Sequence, residues 1–251
     1  MHEHHALTAI LEPGGITSMY QPICSVRNGS AVLAAFECLA RGPRGTNFEH
    51  ANVLFDYVRL KREESLVDRA CVNAALAAAP PLTGDLRLTV NVHASTLGRD
   101  REFVSFLRGA ATRSAVPIDR LTVEIVEHAP PWDGVSFLSA LDELRGDGVR
   151  IALDDVGLGQ SNFKMMLDVR PDYLKIDRWF VTNCDSDANR RAVIDAFGTI
   201  GARFGAEIVA EGVESEAVIK TLQSMGVHLM QGYWFAKPLS RDDAAKFVAR
   251  R

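Results

Sequence analysis

Residues 18–39 read Ser18-Met19-Tyr20-Gln21-Pro22-Ile23-Cys24-Ser25-Val26-Arg27-Asn28-Gly29-Ser30-Ala31-Val32-Leu33-Ala34-Ala35-Phe36-Glu37-Cys38-Leu39. Two strand-like runs, 18–24 and 32–39, flank an Asn28-Gly29 pair, a strong signal for a tight hairpin turn. So short a link cannot make the crossover that parallel neighbours require. The first strand therefore runs antiparallel to the second. Further strand patterns follow at 86–93, 121–126, 150–155, 173–177, 207–211 and 229–234. Helical patterns lie between most of them, at 48–79 (long enough for two helices), 102–112, 134–144, 163–167, 187–204, 215–225 and 241–249. Eight strands alternating with helices describe an α/β fold, a closed (β/α)8 barrel of TIM type, here with an antiparallel first strand.

The 251-residue length suits one such barrel. No Pro/Gly/Ser-rich linker or change of composition divides the chain. The expected organisation is a leader at residues 1–17, solvated around His2, His4 and His5, followed by one barrel domain at 18–251. With 28 basic and 32 acidic residues the net charge is −4, which gives no broad attraction for nucleic acid or anionic lipid. Neither DNA binding nor membrane association is expected. The four cysteines, Cys24, Cys38, Cys71 and Cys184, show no CxxC spacing, so neither a zinc site nor a disulfide framework is indicated. No secretory signal or membrane span is legible, and a reducing cytoplasm is the simplest setting.

Polar residues that serve no core gather at the carboxyl ends of the strands. They are Glu37, Asn91, Glu124 with Glu127, Asp154 with Asp155, Lys175 with Asp177, Glu211 and Gln231. A barrel collects these ends into one mouth, where barrel enzymes keep their active sites. Carboxylates so crowded repel one another unless cations intervene. An all-oxygen donor set favours Mg²⁺ or Mn²⁺ over zinc. Adjacent Asp154-Asp155, after the apolar Ile151-Ala152-Leu153, could both reach a metal pair where the pleat relaxes at the strand end. A carboxylate shared between two ions about 3.5–4 Å apart is the geometry of two-metal phosphoester hydrolysis.

At this point the chain resembles the EAL domain, the cyclic-di-GMP-specific phosphodiesterase family. The matching segments run from Tyr20-Gln21-Pro22-Ile23, Phe36-Glu37-Cys38-Leu39-Ala40-Arg41 and Val90-Asn91-Val92 to Glu124-Ile125-Val126-Glu127 and Ala152-Leu153-Asp154-Asp155. They continue through Asp172-Tyr173-Leu174-Lys175-Ile176-Asp177, Val209-Ala210-Glu211-Gly212-Val213-Glu214, Gln231-Gly232-Tyr233 and Lys237-Pro238-Leu239. The resemblance implies hydrolysis of cyclic di-GMP to linear pGpG with two Mg²⁺ or Mn²⁺ ions. It implies that Glu37, Asn91, Glu124 and Asp154 ligate one metal, with Asp154 bridging to a second served by Asp155 and Glu211. Lys175 would stand near the attacking water, and Gln231 would hold the water and ligand network. Gln21, Leu39 and Arg41 would seat the dinucleotide. A homodimer and a regulatory protein partner are expected.

Two departures stand out. Cys38 replaces the alanine of the family's name, a substitution by another small hydrophobe. The loop that in the family usually reads Asp-Asp-Phe-Gly-Thr-Gly-Tyr-Ser-Ser is here Asp154-Asp155-Val156-Gly157-Leu158-Gly159-Gln160-Ser161-Asn162. A threonine and an aromatic are thus replaced by Leu158 and Gln160. Glu127, which the resemblance makes the anchor of this loop, loses one partner. The alternative reading is therefore a weak or inactive EAL domain acting as a cyclic-di-GMP receptor or protein-interaction module. His93 could edge the mouth or be a satisfied polar residue. Trp179-Phe180 reads better as packing than as a platform for a base.

Overall fold

The computed structural model describes residues 3–126, 134–157 and 163–249. In chain order the elements are α1 (Glu3–Leu11), β1 (Thr17–Arg27), β2 (Ser30–Arg41), α2 (Ala51–Lys61), α3 (Glu64–Ala77), β3 (Arg87–His93), α4 (Ala94–Arg99) and α5 (Phe103–Arg113). There follow β4 (Leu121–Val126), α6 (Gly134–Gly146), β5 (Arg150–Val156), α7 (Phe163–Val169), β6 (Tyr173–Ile176) and α8 (Arg178–Val181). The last are α9 (Ala188–Phe204), β7 (Glu207–Ala210), α10 (Glu216–Ser224), β8 (Leu229–Gln231) and α11 (Arg241–Ala249). None of the described helices is long and apolar enough to cross a membrane.

The strands close into a barrel in sequence order, β1 to β8. β1 pairs antiparallel with both β2 and β8, and every other neighbouring pair is parallel. Asn28 and Gly29 both take positive φ, 51° and 76°, as a two-residue turn with matching twist demands. The hairpin inferred from Asn-Gly is therefore the feature that sets the first strand against the rest.

Alternation along each strand sends one set of side chains outward to the helices. Leu88, Val90, Val92, Leu121, Val123, Ile125, Ile151, Leu153, Leu174 and Ile176 are all buried there. Their neighbours Thr89, Thr122, Glu124, Ala152 and Lys175 line the barrel interior. The long helical pattern at 48–79 is broken at Arg62, whose left-handed φ of 59° ends α2 before α3 begins. The last strand stops at Gln231 rather than at 234.

A buried polar clamp joins α3 to the wall. Asp68 is 1% exposed and accepts from the His93 backbone N–H at 2.9 Å and the Thr96 hydroxyl at 2.6 Å. Its Oδ1 lies 2.8 Å from His93 Nδ1. Burial opposes charge on His93, but Asp68 outweighs burial and raises the imidazole pKa. His93 is thus tied to α3 through Nδ1, while its ring also lines the cavity beside the strand ends. Breaking such a buried charged network from one side costs about 3–5 kcal/mol. Asp68→Ala should therefore lower Tm by roughly 6–20 °C for a domain of this size, with Asp68→Asn falling between it and the parent. Differential scanning calorimetry checks this, and an unchanged Tm in Asp68→Ala would show that the clamp adds nothing.

Candidate active site

β2 to β6 and the turn after β7 each deliver a charged or metal-binding side chain to the carboxyl mouth from an inward position at or near the strand's end. Lys175, at the end of β6, is the centre of the arrangement. Its Nζ lies 2.5 Å from Glu124, 2.6 Å from Glu211, 3.3 Å from Glu37 and 3.3 Å from Asp154. Four carboxylates from β2, β4, β5 and the end of β7 thus converge on one ammonium. Glu37, Glu124 and Lys175 are at most 6% exposed.

Two amides complete the floor. Gln231 Nε2 donates to Glu37 Oε2 at 2.6 Å and to Gln21 Oε1 at 3.1 Å. Asn91 Nδ2 donates to the other Glu37 oxygen at 3.2 Å, and its carbonyl oxygen is the neutral kind of ligand that hard cations accept. Glu37 is therefore fixed from both sides. Its neighbour Cys38 points the other way into the hydrophobic core, and burial pushes its thiol pKa up beyond any nucleophilic range.

How β5 presents two consecutive carboxylates is visible in its register. Leu153 pairs with Leu174 and Val156 with Ile176, so Asp154 and Asp155 together stand opposite the single residue Lys175. This is a bulge, which bends the strand and re-aims its side chains. Asp155 takes the left-handed φ of 50° that the bulge requires, a conformation costing about 1–2 kcal/mol outside glycine. In return, ligand oxygens of Asp154, Asp155 and Glu211 lie within 4.8 Å of one another. The simple relaxation of the pleat expected from sequence is a defined two-against-one insertion.

Glycines seat the ends of β7 and β8. A Cβ on Gly212, where φ is 68°, would lie 2.2 Å from Arg178 Cβ, and one on Gly232 would lie 2.1 Å from the Val213 carbonyl oxygen. The residues before them, Glu211 and Gln231, can enter the mouth because these backbones approach so closely.

The electrostatics report a shortage of positive charge. Burial raises the pKa of Glu124 well above the usual range, with Glu37 adding to the effect and Lys175 opposing it. Burial, then Asp154 and Glu37, push Glu211 up to about 8 against the pull of Lys175. Asp155 rises to about 6 by burial and the neighbouring Asp154. For Lys175, burial works against the ammonium, yet the four carboxylates hold its pKa well above normal. Among the described residues, Glu124 Oε2 is buried with no hydrogen-bond partner. An unpartnered carboxylate oxygen beside three clustered donors fits hard divalent cations.

Beside the carboxylates a mostly apolar cavity of about 210 Å³ opens towards α2 and α3, its lining including Leu39, Arg41, Phe55, Arg59, Asn91 and His93. Arg41 Nη1 donates to the Ala40 carbonyl at 2.8 Å. Gln21 and Gln231 lie outside this cavity, in the buried amide floor. Sequence reading missed Phe55 and Arg59; their i, i+4 spacing on an amphipathic helix was the available signal. Asp177 accepts from Trp179 N at 2.6 Å as the cap of α8, while its charge still adds to the rise of the Asp155 pKa. Phe180 is buried and Trp179 packs under the Arg190 guanidinium, 4.6 Å from the ring centroid. Glu127, Leu158 and Gln160 lie outside the described residues.

Comparison with known proteins agrees with this geometry. The family model described as "EAL domain" matches residues 4–238. The probable cyclic di-GMP phosphodiesterase PdeD of Escherichia coli (strain K12) is 41% identical over 136 residues, 54% of this chain and 25% of that protein. PdeG of the same organism, also a probable cyclic di-GMP phosphodiesterase, is 28% identical over 254 residues, 96% of this chain and 48% of that protein. The chain thus spans between a quarter and a half of these relatives' length. The crystal structure of a standalone versatile EAL protein from Vibrio cholerae O395, in a c-di-GMP bound form, superposes with a TM-score of 0.79 at 27% identity, covering 90% of this chain and 93% of that one. With a family match over nearly its whole length and a barrel of the same architecture, this chain belongs to the EAL domain family.

Proposed function

We propose that the chain is a metal-dependent phosphodiesterase that hydrolyses cyclic di-GMP to linear pGpG. The observation that carries the reading is the convergence of Glu37, Glu124, Asp154 and Glu211 on Lys175 at the carboxyl mouth. It is supported by the names of the relatives above and by the bound nucleotide of the Vibrio cholerae structure.

Glu37, Asn91, Glu124 and Asp154 would hold one Mg²⁺ or Mn²⁺ ion. Asp154 would be shared with a second, served by Asp155 and Glu211. Two such ions lower the pKa of a water and neutralise charge on the phosphate. The chain's own residues then divide the remaining work. Lys175, held as an ammonium, stabilises charge near the attacking water. Gln231 and Gln21 keep Glu37 in place, since both its orientation and that of Gln231 depend on their mutual bond. Arg41 offers a fork suited to phosphate, and Leu39 gives an apolar contact beside it. In the hydrolysis a water oxygen bonds to phosphorus, the bond from phosphorus to the ribose 3′ oxygen breaks, and that oxygen takes up a proton. Glu127 would anchor the loop after Asp155. The active unit would be a homodimer in the cytoplasm, open to control by a protein partner.

The altered loop favours a slow enzyme over a fast one. A hydrogen bond from a threonine hydroxyl to a charged Glu127 is worth about 1.5–3 kcal/mol, and Leu158 cannot make it. If that bond holds the loop closed in relatives, its loss depletes the closed state by roughly ten- to a hundredfold. A receptor role is the limiting case of the same argument.

Incubation with cyclic di-GMP and Mn²⁺, followed by chromatography, should yield pGpG; intact substrate after prolonged incubation would leave the receptor reading. Asp154→Asn should abolish turnover and also the rise in Tm on adding Mn²⁺, which is about 2.7 kcal/mol of stabilisation at a hundredfold excess over Kd. A full Mn²⁺ shift in Asp154→Asn would count against the shared ligand. Glu37→Ala should cost far more activity than Cys38→Ala, and equal losses would contradict the inward and outward assignments of the pair. Leu158→Thr with Gln160→Tyr should raise kcat more than it changes KM, and should make Glu127→Ala more damaging than in the parent.

A further inference from the structure

The opposite mouth of the barrel has its own chemistry. A second cavity, of about 730 Å³, enters from the amino-terminal ends of the strands and reaches up to Glu124 and Lys175. Barrel interiors are ordinarily filled by layers of Val, Ile and Leu. Here Ile23, Val209 and Leu229 pack together on one side, while Ala35, Thr89, Thr122 and Ala152 are small on the other and leave the space open. The volume lies within the range of ligand pockets.

The rim of this cavity is cationic. Register places Leu88 beside Leu121, and so Arg87 near Arg120; Thr122 pairs with Arg150, and Ala152 with Tyr173. Arg87, Arg120 and Arg150 therefore stand at the entries of successive strands and all line the cavity. Among the described residues, no carboxylate lies within ion-pair distance of Arg87 or Arg150. Arg87 is occupied by neutral acceptors, the Leu121 carbonyl at 2.8 Å and the Thr122 hydroxyl at 3.4 Å. Arg150 donates to the Tyr173 hydroxyl at 3.0 Å. Arg120 pairs at 3.0 Å with Asp85, whose side chain is fully exposed. Glu207 is the other acidic residue at the rim, and it too is exposed. Burial, followed by repulsion from Arg150 and Arg120 against the partial relief of Tyr173 and Asp119, lowers the pKa of Arg87. Thr89, 4% exposed, faces the same space.

We propose that this amino-terminal mouth is a second binding site, for a small anion carrying a phosphate group. The phosphate sits among Arg87, Arg120 and Arg150, whose guanidinium forks suit its oxygens. The rest of an organic phosphate extends inward past Thr89 and Thr122, beneath Lys175 and Glu124. The site is separate from the carboxylate mouth, and does not depend on the activity proposed for it.

The test is calorimetric titration of the metal-free protein, in EDTA, with inorganic phosphate and with 5′-GMP. Binding of phosphate that weakens as NaCl rises is expected; tighter binding of 5′-GMP would identify an organic phosphate as the preferred occupant, and equal binding the free ion. Arg150→Gln and Arg120→Gln, both at the surface, should each weaken binding at least fivefold and together at least twentyfold. Arg41→Ala, at the opposite mouth, should leave it unchanged. If Arg120→Gln fails to fold, Arg150→Gln alone decides. No heat with either ligand, an affinity indifferent to Arg150→Gln, or a loss caused by Arg41→Ala would overturn the proposal.

Discussion

Everything at the carboxyl mouth is organised around one ammonium group. Lys175 Nζ lies within 3.3 Å of four carboxylates, inside a barrel where it is itself 2% exposed. Removing ions from water costs several kcal/mol each, and a single cation cannot compensate four anions. The excess shows as raised carboxyl pKa values at Glu124 and Glu211, with burial the first cause in both. Such a site is poor as a stabilising feature and good as a receptor for further cations. The lysine keeps the carboxylates together, and its own charge is secured by the groups it gathers.

The scaffold delivers that geometry through backbone irregularities as much as through regular strands. A strand with unbroken alternation would bring one of Asp154 and Asp155 to the interior and send the other to the helices. The bulge opposite Lys175 removes the choice. Gly212 and Gly232 do comparable work on β7 and β8, because any side chain there would push Arg178 or Val213 away and displace the residue before it. The cost of these features is carried by the surrounding wall, where apolar side chains from all eight strands are fully buried.

Much of this was legible in the chain. Asn28-Gly29 gave the antiparallel first strand, and strand-end polarity placed Glu37, Asn91, Glu124, Asp154, Lys175, Glu211 and Gln231 in one mouth. What remained hidden depends on contacts between segments distant in sequence. The bulge is a relation between β5 and β6 and leaves no mark in either alone. Arg62 turns left-handed with neither glycine nor proline to announce it. His93 has the parity of a mouth residue, but Asp68 on α3 claims it from outside the barrel. Asp177 caps a four-residue helix as well as adding its charge beside Asp155.

The arginines at the other mouth escaped sequence reading for a related reason. Arg87, Arg120 and Arg150 are separated by some thirty residues each, and singly each is an ordinary charged residue opening a strand. Parallel pairing brings them together, since successive strands begin at the same end of the barrel. The same pairing gathers carboxylates at the opposite end. The result is a chain of modest net charge with a cluster of carboxylates at one end of the barrel and three arginines at the other. Between them the interior is lined on one side by the small residues Ala35, Thr89, Thr122 and Ala152 and on the other by the apolar cluster of Ile23, Val209 and Leu229. In a medium less polarisable than water, charges separated by a few strand residues still interact appreciably. An anion held at the lower mouth would share one cavity with the underside of the Lys175–Glu124 pair, so the field of each would reach the other through the barrel interior.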